Sequence, residues 1–411
     1  MTPATCAALK PAPLTTSEYE LASPSFVPTR LFFGAGSSAE FTDILADMLS
    51  EHGARRVLLL TGVPSERKRW LKAFDDGILG FDHIVIRNQV SNPTIRSVSE
   101  ILQAARDAGV DAVVAVGGGS VLDTGKAVAA LARSSLTVED ALATKTVSDA
   151  PLPYLAVPTT WGTGSEVTSY ATIWDDEAKA KYSLSTKSMY PNVAIVDPEL
   201  GATMPAIIAA GTGIDALSHA IESSWSINST EESIEIGLSA IWLVMSSLES
   251  AVNGGQNADA LSDIALASLY AGMSIAKGQT TIAHAISYPL TARYGIHHGH
   301  ACGLSVGALL SYNDAVTPED CQDPRGYAHV RNVLDRIVEA IGATDAAGAE
   351  ARIRALMGRT GLRTLDRIDG IDLALVAEDV IGYDRFGNNP RRMSAGQLVD
   401  FLDRLSAARP A

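Results

Sequence analysis

The feature that most restricts this 411-residue chain is a series of short apolar runs spaced through its first half. Arg56-Val57-Leu58-Leu59-Leu60-Thr61, His83-Ile84-Val85-Ile86, Asp111-Ala112-Val113-Val114-Ala115-Val116, Tyr154-Leu155-Ala156-Val157 and Val193-Ala194-Ile195-Val196 show no polar alternation inside them. A strand built from such a run is buried on both faces, as in a parallel sheet covered by helices. Thr94 to Ala108, between the second and third runs, has apolar residues at helical spacing. The first half is therefore expected to be α/β with a doubly wound sheet. After Pro205 alanine, leucine, serine and glutamate dominate, and the spacing predicts helices through most of the remainder, including Gly342 to Ala355 and Pro390 to Ala407. The expected organisation is a flexible leader over residues 1–25, an α/β domain over 26–205 and a helical domain over 206–411.

Composition narrows the function classes. A hydrophobic share of 46% with 19% charged residues suits a packed core and excludes a disordered chain. The formal net charge of −15 argues against a nucleic-acid partner or an anionic membrane surface, although one local pocket can oppose the overall sign. Cys6, Cys302 and Cys321 make no disulfide framework and show no metal-type pairing, so a reducing compartment is expected. Lys, Arg, Asp, Gly or Pro interrupts each candidate membrane span, and the N-terminus lacks a signal-peptide pattern; a soluble, cytoplasmic protein is the expectation.

Two loops point to a nucleotide. Val116-Gly117-Gly118-Gly119-Ser120 ends a predicted strand and opens a predicted helix, with Asp123 and Lys126 following. Glycines there allow close backbone approach, and helix N–H groups suit a pyrophosphate, though a ligand-free tight turn has the same appearance. The run is not G-x-G-x-x-G, so a standard Rossmann fingerprint is absent. Pro158 to Glu166, with Thr159, Thr160 and Thr163, follows another predicted strand and clusters hydroxyls with glycines. Two such loops at carboxyl ends of strands fit the crevice rule of open α/β sheets.

A second constellation suits a metal. Asp215 and His219 are four residues apart in a helical stretch, which places them on one face. His284 opens another helical stretch, and His297, His298 and His300 cluster soon after it. One carboxylate with three imidazoles suits a divalent transition metal, while a helix-surface pair and a solvated loop would account for the same residues separately.

Together these residues resemble the iron-containing (group III) alcohol dehydrogenases over nearly the whole chain after the leader. Phe33-Gly34-Ala35-Gly36, Ser91-Asn92-Pro93-Thr94, the Gly117–Ser120 loop with Asp123 and Lys126, Pro158 to Thr168, and Asp197-Pro198-Glu199-Leu200 stand where that family has its motifs. The resemblance implies a dinucleotide-binding α/β domain, a helical metal domain of dehydroquinate synthase-like architecture, and catalysis in the cleft between them. It implies Asp215, His219, His284 and His298 as ligands of Fe²⁺ or Zn²⁺, and Asn92, Thr159, Thr160, Thr163 and Lys181 at cofactor positions. His297 and His300 are expected outside the ligand set, and a homodimer is reasonable.

Three departures bear on activity. Tyr288 stands where many family members have a proton-transferring histidine, and is either a weak relay or an aromatic pocket wall. Gly62 stands after the first cofactor strand where NAD-preferring members often carry an acid, and Ser65 can hydrogen-bond a 2′-phosphate; NADPH is thus the favoured donor, with NADH the alternative. Lys277, expected two turns before His284 on the same helix, and Arg385 are candidate partners for an anionic group on a small carbonyl substrate, whereas Arg293 and Arg391 are expected to be surface charges. Ser287 to Thr291 combined with the Arg385 to Pro390 segment resembles the phosphonoacetaldehyde reductase branch. The alternatives are a generic aldehyde or butanol dehydrogenase of the same family and, more remotely, a dehydroquinate synthase-like lyase or a non-enzymatic metal-binding protein.

Overall fold

The computed structural model describes residues 19–62, 81–87, 92–178, 180–254, 257–381 and 383–407. Ser65, Ser91, Cys6 and residues 1–18 of the expected leader lie outside these. The chain divides into two compact units: one contains residues up to 160 together with 165–202, the other 161–164 together with everything from 203 onward. The crossover near 202 thus comes with a four-residue excursion at 161–164 that the sequence does not announce.

The first unit is built on the apolar runs. Strands β1 (Glu20–Leu21), β2 (Arg30–Phe33), β3 (Arg56–Thr61), β4 (Asp82–Arg87), β5 (Ala112–Gly117), β6 (Tyr154–Pro158) and β9 (Val193–Val196) form one sheet in the order β1-β2-β9-β6-β5-β3-β4. All pairs are parallel except β1–β2. Glu20 pairs with Phe32 and Leu21 with Leu31, so the end of the stretch read as a loose leader is an edge strand. Every residue of β5, β6 and β9 is buried, as continuous apolar runs require. Helix α1 (Phe41–His52) contributes Phe41, Leu45 and Met48 to one core, which takes Val57, Leu59 and Val114 from the sheet. Helices α2 (Ile95–Asp107), α3 (Gly119–Leu131) and α4 (Val138–Thr144) contribute to a separate core with the alternate residues Leu58, Leu60, Val113 and Ala115. Strands β7 (Tyr170–Asp175) and β8 (Ala180–Ser185) form a separate antiparallel pair.

Asp197 shows how distant motifs meet. Its buried carboxylate accepts from the Gly36 and Ser38 amides, the Ser38 hydroxyl at 2.6 Å and the Glu199 amide. The turn after β2 and the turn after β9 are thereby locked together.

The second unit is helical: α5 (Ala206–Trp225), α6 (Glu231–Asn253), α7 (Ala258–Gly278), α8 (Ile282–Tyr294), α9 (His298–Asp314), α10 (Tyr327–Ile341), α11 (Ala346–Arg359), α12 (Leu373–Ile381) and α13 (Ala395–Ala407). By length and composition α6 is apolar enough to cross a membrane, a test that core helices also pass, and Gly237 interrupts it as expected. Half of its most apolar stretch is buried in the unit, with Ile234, Ile241, Val244 and Leu248 in the core. Helices α5 and α9 approach closely at Gly299, where a Cβ would stand 2.1 Å from the Gly211 carbonyl oxygen and 2.6 Å from Asp215 Cβ. Only glycine permits that crossing, and it brings the start of α9 against the middle of α5.

Candidate functional site

The nucleotide loops follow from strand register. Gly117 and Pro158 are partners at the ends of β5 and β6, and the Thr159 amide donates to the Gly117 carbonyl at 2.9 Å. The Gly62 amide, at the end of β3, reaches the Val116 carbonyl at 3.3 Å. Gly62, Gly117, Gly118, Gly119, Ser120, Thr159 and Thr160 therefore gather at the carboxyl ends of three neighbouring strands. Beside β3 the sheet order reverses, the place where open α/β sheets bind nucleotides. Gly118 caps α3, and a Cβ on it would stand 3.2 Å from Thr160 Oγ1, so the two loops touch through it.

Other expected cofactor residues stand elsewhere. Asn92 lies just before α2, Lys181 sits on β8 with its ammonium 5.7 Å from the Trp174 ring centroid, and Thr163 belongs to the excursion grouped with the helical unit. Asp123 has a structural part as well. One carboxylate oxygen accepts from Ser165 Oγ at 2.6 Å and the other from the Thr172 amide at 2.8 Å, so it straps α3 to the second loop and to β7. Lys126 continues that strap: fully buried, it donates to the Ser165 and Tyr170 carbonyls and the Ser165 and Thr168 hydroxyls. Burial pulls Lys126 down to about 8 and pushes buried Glu166 up to about 7.

The metal residues assemble within the helical unit. Asp215, His284, His298 and Cys302 each bring a ligand atom within 4.8 Å of the others. His219 lies beside this set, its ring stacked on that of His284 at 4.5 Å. Proton bookkeeping decides which nitrogen each imidazole offers. His219 Nδ1 faces the Gly162 carbonyl at 3.1 Å, which can only accept. His284 Nδ1 faces the Glu222 carboxylate. Ser287 donates its single proton to the His284 carbonyl at 2.7 Å, so His298 Nδ1, 3.2 Å from Ser287 Oγ, must be the donor there. All three rings thus spend Nδ1–H on the protein and present Nε2, the arrangement that orients metal-binding histidines.

The electrostatics agree. Burial pulls His219 down to about 4, the neutral form a ligand needs, whereas at His284 the pull of burial is overcome by Cys302, Glu222 and Asp215, which hold it well above the usual histidine range unless a cation shares their charge. Burial works to raise Asp215, but His219, His284 and His298 outweigh it and keep the carboxyl well below the usual range. Asp215 Oδ1 and His284 Nε2 are buried, lack hydrogen-bond partners and stand 3.6 Å apart. Such orphaned atoms, one anionic, are costly unless a cation satisfies them, so this donor set fits a divalent metal.

Two members of the site were not expected from the sequence. Glu222 is wholly buried, and besides His284 it accepts from the Thr281 amide, the Thr281 hydroxyl at 2.6 Å and the Ala283 amide. Its signal was present, since Asp215, His219 and Glu222 follow one helical face. Cys302, set aside as unpaired, stands four residues after His298 on α9 and joins the cluster; the spacing to a histidine rather than a second cysteine was the informative one.

The residues offered for substrate contact divide. Arg385 donates to Thr280 Oγ1, and its guanidinium lies 5.8 Å from the Tyr288 ring centroid; that ring stacks on His298 at 6.0 Å and meets Tyr383 edge-on. Lys277 is not on the helix of His284. Helix α7 stops at Gly278, Gln279 adopts φ +61°, and α8 begins afresh at Ile282, leaving Lys277 exposed on the last turn of α7. Arg293 pairs with Asp379 at 2.6 Å and Arg391 with Asp320 at 2.8 Å, as structural charges do. His300 Nε2 contacts the Arg363 carbonyl, and His297 precedes α9.

Comparison with known proteins decides the affiliation. The model of the iron-containing alcohol dehydrogenases matches residues 28–198, and that of the Fe-containing alcohol dehydrogenase C-terminal region matches 209–405. The chain belongs to the iron-containing alcohol dehydrogenase family. As a member of this family it is an NAD(P)-dependent oxidoreductase that uses a metal and a nicotinamide cofactor. Its relatives include the phosphonoacetaldehyde reductase of Streptomyces viridochromogenes, 37% identical over 377 residues covering 90% of this chain and 94% of that one. The sulfoacetaldehyde reductase of Bilophila wadsworthia is 31% identical over 318 residues, 76% of this chain and 81% of that one. Among solved structures, the sulfoacetaldehyde reductase of Bifidobacterium kashiwanohense in complex with NAD+ aligns with a TM-score of 0.81 at 29% identity, covering 93% of this chain and 98% of that one.

Proposed function

We propose that this iron-containing alcohol dehydrogenase reduces a small aldehyde or ketone bearing an anionic group, a phosphonate above all: phosphonoacetaldehyde to 2-hydroxyethylphosphonate, or phosphonopyruvate to phosphonolactate. The observation that carries the reading is Arg385, a cation held over Tyr288, whose ring in turn stacks on the metal residue His298. A guanidinium so placed offers a phosphonate paired hydrogen bonds and charge. Relatives named for phosphonoacetaldehyde and sulfoacetaldehyde, both small aldehydes with an anionic group, support it.

When bound, Fe²⁺, with Zn²⁺ as the alternative, supplies Lewis-acid polarisation of the carbonyl oxygen, and the nicotinamide supplies hydride. The chain's own residues do the positioning. Glu222, Ser287 and the Gly162 carbonyl fix the imidazoles, Arg385 orients the anion, and Tyr288 walls the site with a phenol able to donate a proton. The Gly118–Ser120 backbone at the α3 N-terminus suits the pyrophosphate. For the donor, Gly62 places no carboxylate beside β3 to repel a 2′-phosphate, which supports NADPH; the NAD+ complex of the Bifidobacterium relative favours NADH as the second reading.

Steady-state oxidation of NADPH and NADH by Fe²⁺-loaded protein tests both points, with phosphonoacetaldehyde, phosphonopyruvate and butanal compared. The expected kcat/KM preference for a phosphonate is about a hundredfold, or about 2.7 kcal/mol in transition-state binding. Butanal matching the phosphonates would overturn the anion reading and leave the generic aldehyde reductase.

A further inference from the structure

We propose that Cys302 is a sulfur donor to the metal centre, additional to the aspartate and three histidines. The inference rests on the metal set alone and is independent of which carbonyl compound is reduced. Cys302 lies one helical turn beyond His298 on α9, so both side chains leave the helix on the same face. Its Sγ lies within 4.8 Å of the ligand atoms of Asp215, His284 and His298.

A buried cysteine is usually a small apolar filler. Here polar ligand atoms lie beside it. Cys302 is fully buried beside two polar atoms that lack hydrogen-bond partners, Asp215 Oδ1 and His284 Nε2. Three donor atoms from α5, α8 and α9 thus converge, two of them without a hydrogen-bond partner, and a cation satisfies all three together. The crossing at Gly299 holds α9 against α5 at that level, and Glu222 fixes His284 from behind, so the sulfur is held by the same supports as the established ligand types. A thiolate is softer than imidazole or carboxylate, and its presence biases a site toward Zn²⁺, Co²⁺ and Fe²⁺ over Mn²⁺ and Mg²⁺.

Cobalt substitution reads this directly. The full-length protein, loaded with one equivalent of Co²⁺ and shown to be loaded by its visible ligand-field bands, is expected to display a near-ultraviolet sulfur-to-cobalt charge-transfer band. The band should vanish in Cys302→Ser and Cys302→Ala and persist in Cys321→Ser, the half-exposed cysteine outside the cluster. In competition binding, preference for Co²⁺ over Mn²⁺ should fall about tenfold in the Cys302 variants. A loaded wild-type protein without the band overturns the proposal, and this reading needs no variant to fold. A band that survives Cys302→Ser overturns it equally.

Discussion

Glu222 decides which nitrogen His284 offers, and it is held in place by three donors from the start of α8. Replacing it with glutamine keeps the shape but removes the charge that anchors the imidazole. Glu222→Gln is expected to weaken metal affinity about 10- to 100-fold, measured by competition with a chromogenic chelator, and activity should recover in excess metal. Unchanged affinity would mean that the helix alone orients His284. On the proposed reading Arg385 faces the anionic group of the substrate. Arg385→Gln should lower kcat/KM for a phosphonate aldehyde about 10- to 100-fold while leaving butanal reduction unchanged, since only the charged substrate loses a charge-assisted contact. At this scale the convergence of Asp215, His284 and His298 was legible, because they are rare types in telling positions, and His219 stacks beside them. Residues that serve other residues were not. Asp123 resembles a ligand-facing acid in sequence, and only the positions of Ser165 and Thr172 show that it also ties α3 to its neighbours.

Among elements, the α5–α9 crossing positions the metal residues and depends on one missing methyl group. Gly299→Ala would push a Cβ against the Gly211 carbonyl and Asp215, and should cost about 1–3 kcal/mol in urea unfolding together with some metal affinity. Gly358→Ala, inside α11 with nothing near its would-be Cβ, is the contrast: it should be neutral or raise stability by up to about 1 kcal/mol. Equal effects would show that the crossing is not the tight contact described. Helix breaks were the hardest feature to foresee. The seven-residue spacing reads as two turns of one helix from Lys277 to His284; the break comes from a positive φ at Gln279, which the residue type does not advertise.

For the whole molecule, pH dependence follows from the buried strap of the first unit. The folded state holds Glu166 at about 7 against 4.5 for an ordinary glutamate, so it binds a proton that the unfolded chain releases. That stability is fully present below pH 4.5 and is lost as pH rises through about 7, a difference of about 3 kcal/mol. Lys126 has the opposite sign: held at about 8 against 10.5, it lets stability recover as pH rises between those values. Urea midpoints followed from pH 4.5 to 7.5 should therefore fall less steeply in Glu166→Gln than in the wild-type protein; parallel slopes would remove Glu166 from the account. The α/β-then-helical order of the chain was legible because uncharged strand runs and helical spacing are local signals. The edge strand at Glu20–Leu21 was not, since two residues carry no period and owe their state to pairing with Phe32 and Leu31.

The excursion at 161–164 has a consequence for anyone building hybrids between relatives. The carbonyl that fixes the His219 imidazole is supplied by Gly162, some forty residues before the end of the α/β segment. A chimaera joined at residue 203 would graft one parent's loop onto another parent's metal ligands, while a helical fragment expressed from 203 onward would lose that partner altogether. The swappable piece is the helical segment together with this short upstream insert, so the unit of inheritance is discontinuous in the gene even though the fold treats it as one.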